Sequence, residues 1–167
     1  MGGYAASGGY YISCIADTIV AQPNTITGSI GIFGLMPNAQ GLVNKLGLSF
    51  DGVKTNAMSD FGELIRPMSE QERSLMQEKV NRGYELFVKR CADGRSMSID
   101  AIKSIAEGRV WTGEQALENG LVDTLGNLND ALAIAIEKSG VEEYEVVSYP
   151  EKKDLLTQIL EEFSSSQ

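Results

Sequence analysis

Tyr4-Ala5-Ala6-Ser7-Gly8-Gly9-Tyr10-Tyr11-Ile12-Ser13-Cys14-Ile15 passes from an extended to a helical pattern at a serine flanked by very small residues. Tyr10, Tyr11, Cys14 and Ile15 recur at spacings of three and four, which keeps one helix face apolar, so a short helix is expected to begin at Ser7. The surrounding first third is glycine-rich and β-branched and reads as strands and tight turns. Thr18 to Ala21 is a short strand closed by the turn residues Pro23 and Asn24. With 18 glycines in 167 residues, sharp turns and close backbone approaches are expected.

Downstream the pattern becomes helical. Asn38 to Leu46 predicts a short helix ended by Gly47, and Leu48 to Lys54 an imperfectly alternating strand. Ser69-Glu70-Gln71-Glu72 is a capping box, in which a serine oxygen and a glutamate satisfy each other's unpaired amides. Leu75, Met76, Val80, Tyr84, Phe87, Val88 and Cys91 follow at helical spacing as a core-facing stripe, and Gly94 is expected to end the run. Ser98 to Ala106 is a further helix, Arg109 to Trp111 an extended piece, and Thr112-Gly113-Glu114-Gln115 a second capping box whose helix stops at Gly120. Asn127 caps a helix through Ile136, Tyr144 to Tyr149 alternates as a strand, and Leu155 to Phe163 is amphipathic ahead of a frayed end. Strands alternating with helices before a helix-rich second half define an α/β protein. The expected organisation is a domain over residues 1–150 and a helical tail over 151–167.

Composition removes several functions. The formal charge of −9 repels nucleic-acid phosphates and anionic lipid heads. No segment has the run of about twenty apolar residues a spanning helix needs, so the piece itself reads as soluble. With no histidine, this chain by itself cannot build a Ser-His-Asp or Cys-His catalytic pair or an imidazole metal site. Cys14 and Cys91 have no C-x-x-C spacing and read as core residues. Nothing calls for a cofactor or a metal.

Ala5-Ala6-Ser7-Gly8-Gly9 is the sharpest chemical feature. Small neighbours allow a tight turn and close approach of a carbonyl to the hydroxyl, as in the nucleophile elbow G-x-S-x-G with alanine for the first glycine. The Gly8 amide, at a helix start, is placed to hold a developing oxyanion. The same residues also read as a plain N-cap in a packed turn. A serine nucleophile needs a base, and without histidine that base is a desolvated lysine or a carboxylate. Lys45 reads as a solvated helix residue. Lys54, from the more apolar part of the chain, reads either as that base or as a surface lysine on an edge strand.

Met1-Gly2-Gly3-Tyr4-Ala5-Ala6-Ser7-Gly8-Gly9-Tyr10-Tyr11-Ile12-Ser13, Ala16-Asp17, and Thr25-Ile26-Thr27-Gly28-Ser29-Ile30-Gly31-Ile32-Phe33-Gly34 resemble the signal peptide peptidase A, or protease IV, family. So do Gly108-Arg109-Val110-Trp111-Thr112-Gly113-Glu114-Gln115-Ala116 and Gly120-Leu121-Val122-Asp123, in the family's order. The resemblance implies a Ser-Lys dyad protease on a crotonase/Clp-protease-like β-β-α superhelix. It further implies anchorage to the bacterial cytoplasmic membrane with the catalytic part outside the cytoplasm, and peptide substrates left by secretory cleavage. Ser7 then matches the nucleophile, and Ser29 matches a hydroxyl that hydrogen-bonds the lysine; Ser29 reads alternatively as a turn residue.

Two departures qualify the match. In short family members the lysine lies in the segment corresponding to Val53–Glu72, where ungapped matching puts Ser59 at its position and Lys54 on another column. In tandem-domain members the amino-terminal domain supplies the lysine, so this chain resembles the carboxy-terminal half of that type, working in a homo-oligomer. The family's upstream strand and S-P-G-G-type loop, part of the oxyanion hole, would precede Met1, so an incomplete start and a nearly inactive isolated chain are expected. Two other readings are an acyl-CoA hydratase or isomerase of the crotonase type, and a non-catalytic half serving assembly.

Overall fold

A computed structural model describes residues 1–147 and 149 of the chain, which divides into two compact units, Met1–Ala131 and Leu132–Gln167. The elements are β1 (Tyr4–Ala6), α1 (Gly8–Ser13), β2 (Val20–Ala21), β3 (Ile26–Gly28), α2 (Gln40–Lys45), α3 (Glu70–Arg95), α4 (Ile99–Ile105), β4 (Val110–Trp111), α5 (Gly113–Glu118), β5 (Thr124–Leu125) and α6 (Leu128–Ser139). One sheet has the order β1-β3-β4 and another pairs β2 with β5. β1 and β3 are parallel, with Tyr4 opposite Ile26, Ala5 opposite Thr27 and Ala6 opposite Gly28. β4 adds antiparallel to β3. The mixed α/β class is as expected.

Local rules account for the helices. At α3 the Ser69 side chain accepts from Glu72 N at 3.2 Å while the Glu72 carboxylate accepts from Ser69 N at 2.7 Å. Thr112 and Gln115 repeat the reciprocal arrangement at α5. α2 ends as Gly47 takes φ 67, letting Leu48 N reach Val43 O and Gly47 N reach Asn44 O, each at 3.2 Å; these are the two bonds of a Schellman cap. The second unit contains the end of α6, after which Gly140 has φ 65 and donates to Ile136 O at 3.2 Å.

The core lies between α1 and the carboxyl half of α3, joined by α4, α5 and the loop into β5. Tyr10, Cys14, Phe87, Val88, Cys91, Ile102, Ala116 and Leu121 are buried in it. Sealing a Phe or Val side chain from water contributes about 1.5–3 kcal/mol. Tyr10 is fully covered yet satisfied, its hydroxyl donating to Leu121 O at 2.9 Å, and Tyr11 meets the Phe87 ring edge-on at 5.1 Å. Arg95, 8% exposed, grips both Asp123 oxygens, at 2.5 and 3.0 Å, and Asp123 also accepts from Ile19 N at 2.7 Å. That carboxylate ties the end of α3 to the β2–β5 pair. Cys14 and Cys91 are buried as expected, and burial pushes both thiols above the ordinary range.

Five expectations need correction. Gly94 does not end α3; it lies within the helix because a side chain there would run into the Cys14 carbonyl of α1. The helix ends at Arg95, and Ser96 after it turns left-handed at φ 52. Leu48–Lys54 forms no strand: Leu48, Phe50 and Val53 stand exposed, with no neighbouring strand to complete a ladder. Residues 144–147 likewise carry no strand, whereas the segments expected at 155–163 and 164–167 lie outside the described residues. The α3 stripe is core only toward its carboxyl end, since Leu75 is exposed and Met76 and Val80 are half-buried. On α1, similarly, Tyr10 and Cys14 are buried but Ile15 is exposed.

The loop before α3 is held by charge. Arg66 donates to both Glu72 oxygens, at 2.8 and 2.5 Å, and to Asp60 Oδ2 at 2.8 Å, while Lys54 Nζ lies 2.5 Å from Asp60 Oδ2. Lys54 is therefore the surface ion-pair partner of Asp60 and not a strand residue. Arg66 first, then the Ser69 amide, holds the Glu72 carboxyl down from 4.5 to about 2. Arg66 and then Lys54 hold Asp60 down from 3.8 to about 2. Both native values lie below the unfolded ones, so the stabilisation is complete above the unfolded pKa values and drains away as pH falls toward the native ones. Stability is expected to fall between about pH 5 and pH 2. Glu72→Gln should flatten that decline in thermal melts taken across the range, and an equally steep decline in the variant would contradict the assignment.

Candidate active site

Ser7 stands between β1 and α1 with φ 53 and ψ −115, a region that side-chain-bearing residues rarely occupy and that stores of order 1–3 kcal/mol. The turn is held by the Ser7 amide, which donates to Gly28 O at 2.9 Å, and by the Ser7 carbonyl, which accepts from Tyr11 N at 2.8 Å. A strained serine between a strand and a helix is the context that the elbow reading requires. Ser7 occupies the N-cap position of α1, but its side chain makes no capping hydrogen bond. Gly8 is the first residue of α1, so its N–H has no partner within the helix.

Ser29 arrives beside Ser7 through strand register. Ala6 lies opposite Gly28, so the next residue on each strand leaves the same, carboxyl, end of a parallel pair. Thr27 locks the pairing, its hydroxyl donating to Ala5 O at 2.7 Å. Gly28 and Ser29 then turn left-handed at φ 74 and φ 50. Gly28 has no room for a side chain, since a Cβ would sit 2.6 Å from Trp111 Cδ1. Ser29 N donates to Arg109 O at 2.7 Å and Gly108 N to Ile30 O at 3.0 Å, fixing the Glu107–Arg109 loop against the strand end.

Ser7 and Ser29 open into one cavity of about 460 Å³. Its apolar walls are Ile32 and Phe33 after β3 and Val80 and Tyr84 on α3; Gln77, Asn81 and Glu107 supply polar atoms. Burial, then the Glu107 charge, pushes the Tyr84 phenol above its ordinary value. A neighbouring cavity of about 550 Å³ shares Ile32, Phe33 and Val80 but contains neither serine. Among the described residues no lysine lines the Ser7 cavity and no side chain hydrogen-bonds the Ser7 hydroxyl. Ser59, at the family's short-member lysine position, instead sits in an exposed turn, donating to Asn56 O at 3.1 Å.

The α3 residues of this cavity were not foreseen as site residues. Tyr84 and Val80 were read as core because an apolar stripe looks the same whether it faces packed side chains or a hollow. Glu107 carries a signal only in its backbone, at φ 61. Ile32 and Phe33 belong to the Thr25–Gly34 stretch, where nothing in the sequence marks them as cavity walls.

Similarity to known proteins places this site in a peptidase family. The profile of peptidase family S49 matches residues 1–142, and the chain belongs to that family. It is 39% identical over 166 residues to Protease 4 of Salmonella typhi, covering 99% of this chain and 27% of that protein. It is 41% identical over 145 residues to a putative signal peptide peptidase SppA of Enterococcus faecium, covering 87% of this chain and 42% of the relative. It is 37% identical over 142 residues to the chloroplastic serine protease SPPA of Arabidopsis thaliana, covering 84% and 21%. The chain thus spans well under two thirds of each relative's length. A peptidase family sets aside the acyl-CoA reading.

The strain at Ser7 yields a stability test independent of activity. Ser7→Gly removes the side chain that conflicts with φ 53, whereas Ser7→Ala keeps that conflict. The glycine variant should exceed the alanine variant by about 1 kcal/mol or more in denaturant unfolding, and the reverse order would show that the turn is unstrained.

Proposed function

We propose that this chain is the serine-bearing, carboxy-terminal half of a tandem-domain Ser-Lys protease on a crotonase/Clp-protease-like superhelix. Ser7 is the nucleophile, and a lysine from another domain or subunit of a homo-oligomer is its base. The carrying observation is the convergence of a strained, uncapped Ser7 with Ser29 at the carboxyl ends of paired strands, over one cavity. Three facts support a base from elsewhere: the chain has no histidine, no lysine lines the cavity among the described residues, and the chain covers 27% of the Salmonella typhi relative.

In this reading an uncharged lysine amine, held by the Ser29 hydroxyl, takes the proton from Ser7 Oγ as the oxygen attacks the peptide carbonyl carbon. The Gly8 N–H, with a donor from the missing part of the site, holds the resulting oxyanion. Collapse breaks the C–N bond, and the lysine returns its proton to the departing amine. Water, deprotonated by the same lysine, then attacks the acyl carbon, and the lysine returns that proton to Ser7 Oγ as the ester C–O bond breaks. Extended apolar peptides, including cleaved signal peptides, are the proposed substrates, and the parent is proposed to be anchored to the bacterial cytoplasmic membrane with this part outside the cytoplasm. No helix among the described residues is long and apolar enough to cross a membrane.

A base contributes about 10² to 10⁴ in rate and an oxyanion donor about 10² to 10³, so the isolated chain should be nearly inactive on peptides that the assembled protein cleaves. In the assembled protein a phosphonylating probe should attach to Ser7, as located by peptide mass mapping. Ser7→Ala should abolish both labelling and cleavage. Undiminished turnover in that variant would exclude Ser7 as the nucleophile.

A further inference from the structure

Gly83 occupies the interior of α3, a position where glycine is a poor helix former. Its neighbour explains it. A Cβ on Gly83 would lie 2.6 Å from Ile32 Cδ1 and 3.9 Å from Ile32 Cγ1, so the Ile32 side chain is seated in the notch left by the missing one. Ile32 is also a wall of the cavity that holds Ser7 and Ser29, and Val80, one turn from Gly83, is another. The same isoleucine borders a further hollow of about 720 Å³ on the Gly83 side. Its δ-methyl thus sits in the α3 notch, on the border between that hollow and the space beside Ser7.

We propose that Gly83 is a positioning residue that sets the bore of the Ser7 cavity, holding the Ile32 δ-methyl out of it and so admitting peptide side chains larger than alanine. The inference rests on the reading of Ser7 as nucleophile. Filling the notch moves only the far end of a flexible side chain, which the fold tolerates, and alanine is the better helix former. The cost falls on the ligand: one methyl group in an apolar pocket changes discrimination by about 10-fold or more.

The test uses the assembled protease and two peptides that differ only in presenting leucine or alanine to the cavity. Gly83→Ala should lower the leucine-to-alanine ratio of kcat/KM by about 10-fold, expressed chiefly in KM for the leucine peptide. Ile32→Val lacks the displaced δ-methyl, so in the Gly83→Ala background it should restore most of the ratio. A general loss of stability would lower kcat/KM for both peptides alike and leave their ratio unchanged. An unchanged ratio in Gly83→Ala, or a double variant no better than the single, would each overturn the inference. Probe labelling of the wild-type protein separates the two readings. Labelling at Ser7 with an unmoved ratio removes the role of Gly83 alone, whereas no labelling removes the nucleophile and this inference with it.

Discussion

The parallel pairing of β1 with β3 is the constraint on which the candidate site depends. Ala6 opposite Gly28 brings two serines, distant in sequence, off the same end of neighbouring strands, and the Ser7 amide continues the ladder to the Gly28 carbonyl. A slip of one residue would turn each side chain to the other face of the sheet. Thr27 guards against it by being fully buried and bonded across to Ala5. Gly28 guards against it too, because Trp111 packs where any side chain would stand. The turn that strains Ser7 is thus imposed from outside the turn, by a strand and an indole.

What was legible in the sequence was mostly local. The capping boxes at Ser69 and Thr112 are spelled within four residues and formed as read, because their partners are fixed by helix geometry. Gly47 ended its helix for the same reason. Gly94 was misread because a glycine that stops a helix and one that lets another backbone come close look alike in one dimension; only the Cys14 carbonyl distinguishes them. Leu48–Lys54 alternates without a partner strand, and alternation alone does not make a ladder.

The site was half legible. Ser7 stood out through its small neighbours, and its strand–turn–helix setting follows from them. Ser29 came only from family resemblance, because nothing within its own segment announces a partner in β1. The α3 wall stayed hidden, since Val80 and Tyr84 fit the core pattern that Phe87, Val88 and Cys91 fulfil further along the same helix.

Glu72 illustrates how tightly the loop and the long helix are joined. Its carboxylate both completes the α3 cap and receives the Arg66 fork, while Arg66 reaches on to Asp60. The first turn of α3 and the loop from Lys54 to Met68 therefore cannot loosen separately, and hydrogen exchange at their amides would proceed as one event. The two thiols carry a different consequence. Cys14 and Cys91 lie fully inside, where the α1 and α3 backbones come closest, so alkylating reagents meet them only in molecules whose interior has opened. The chain carries its own built-in counter of unfolded molecules, readable by mass as each thiol is capped.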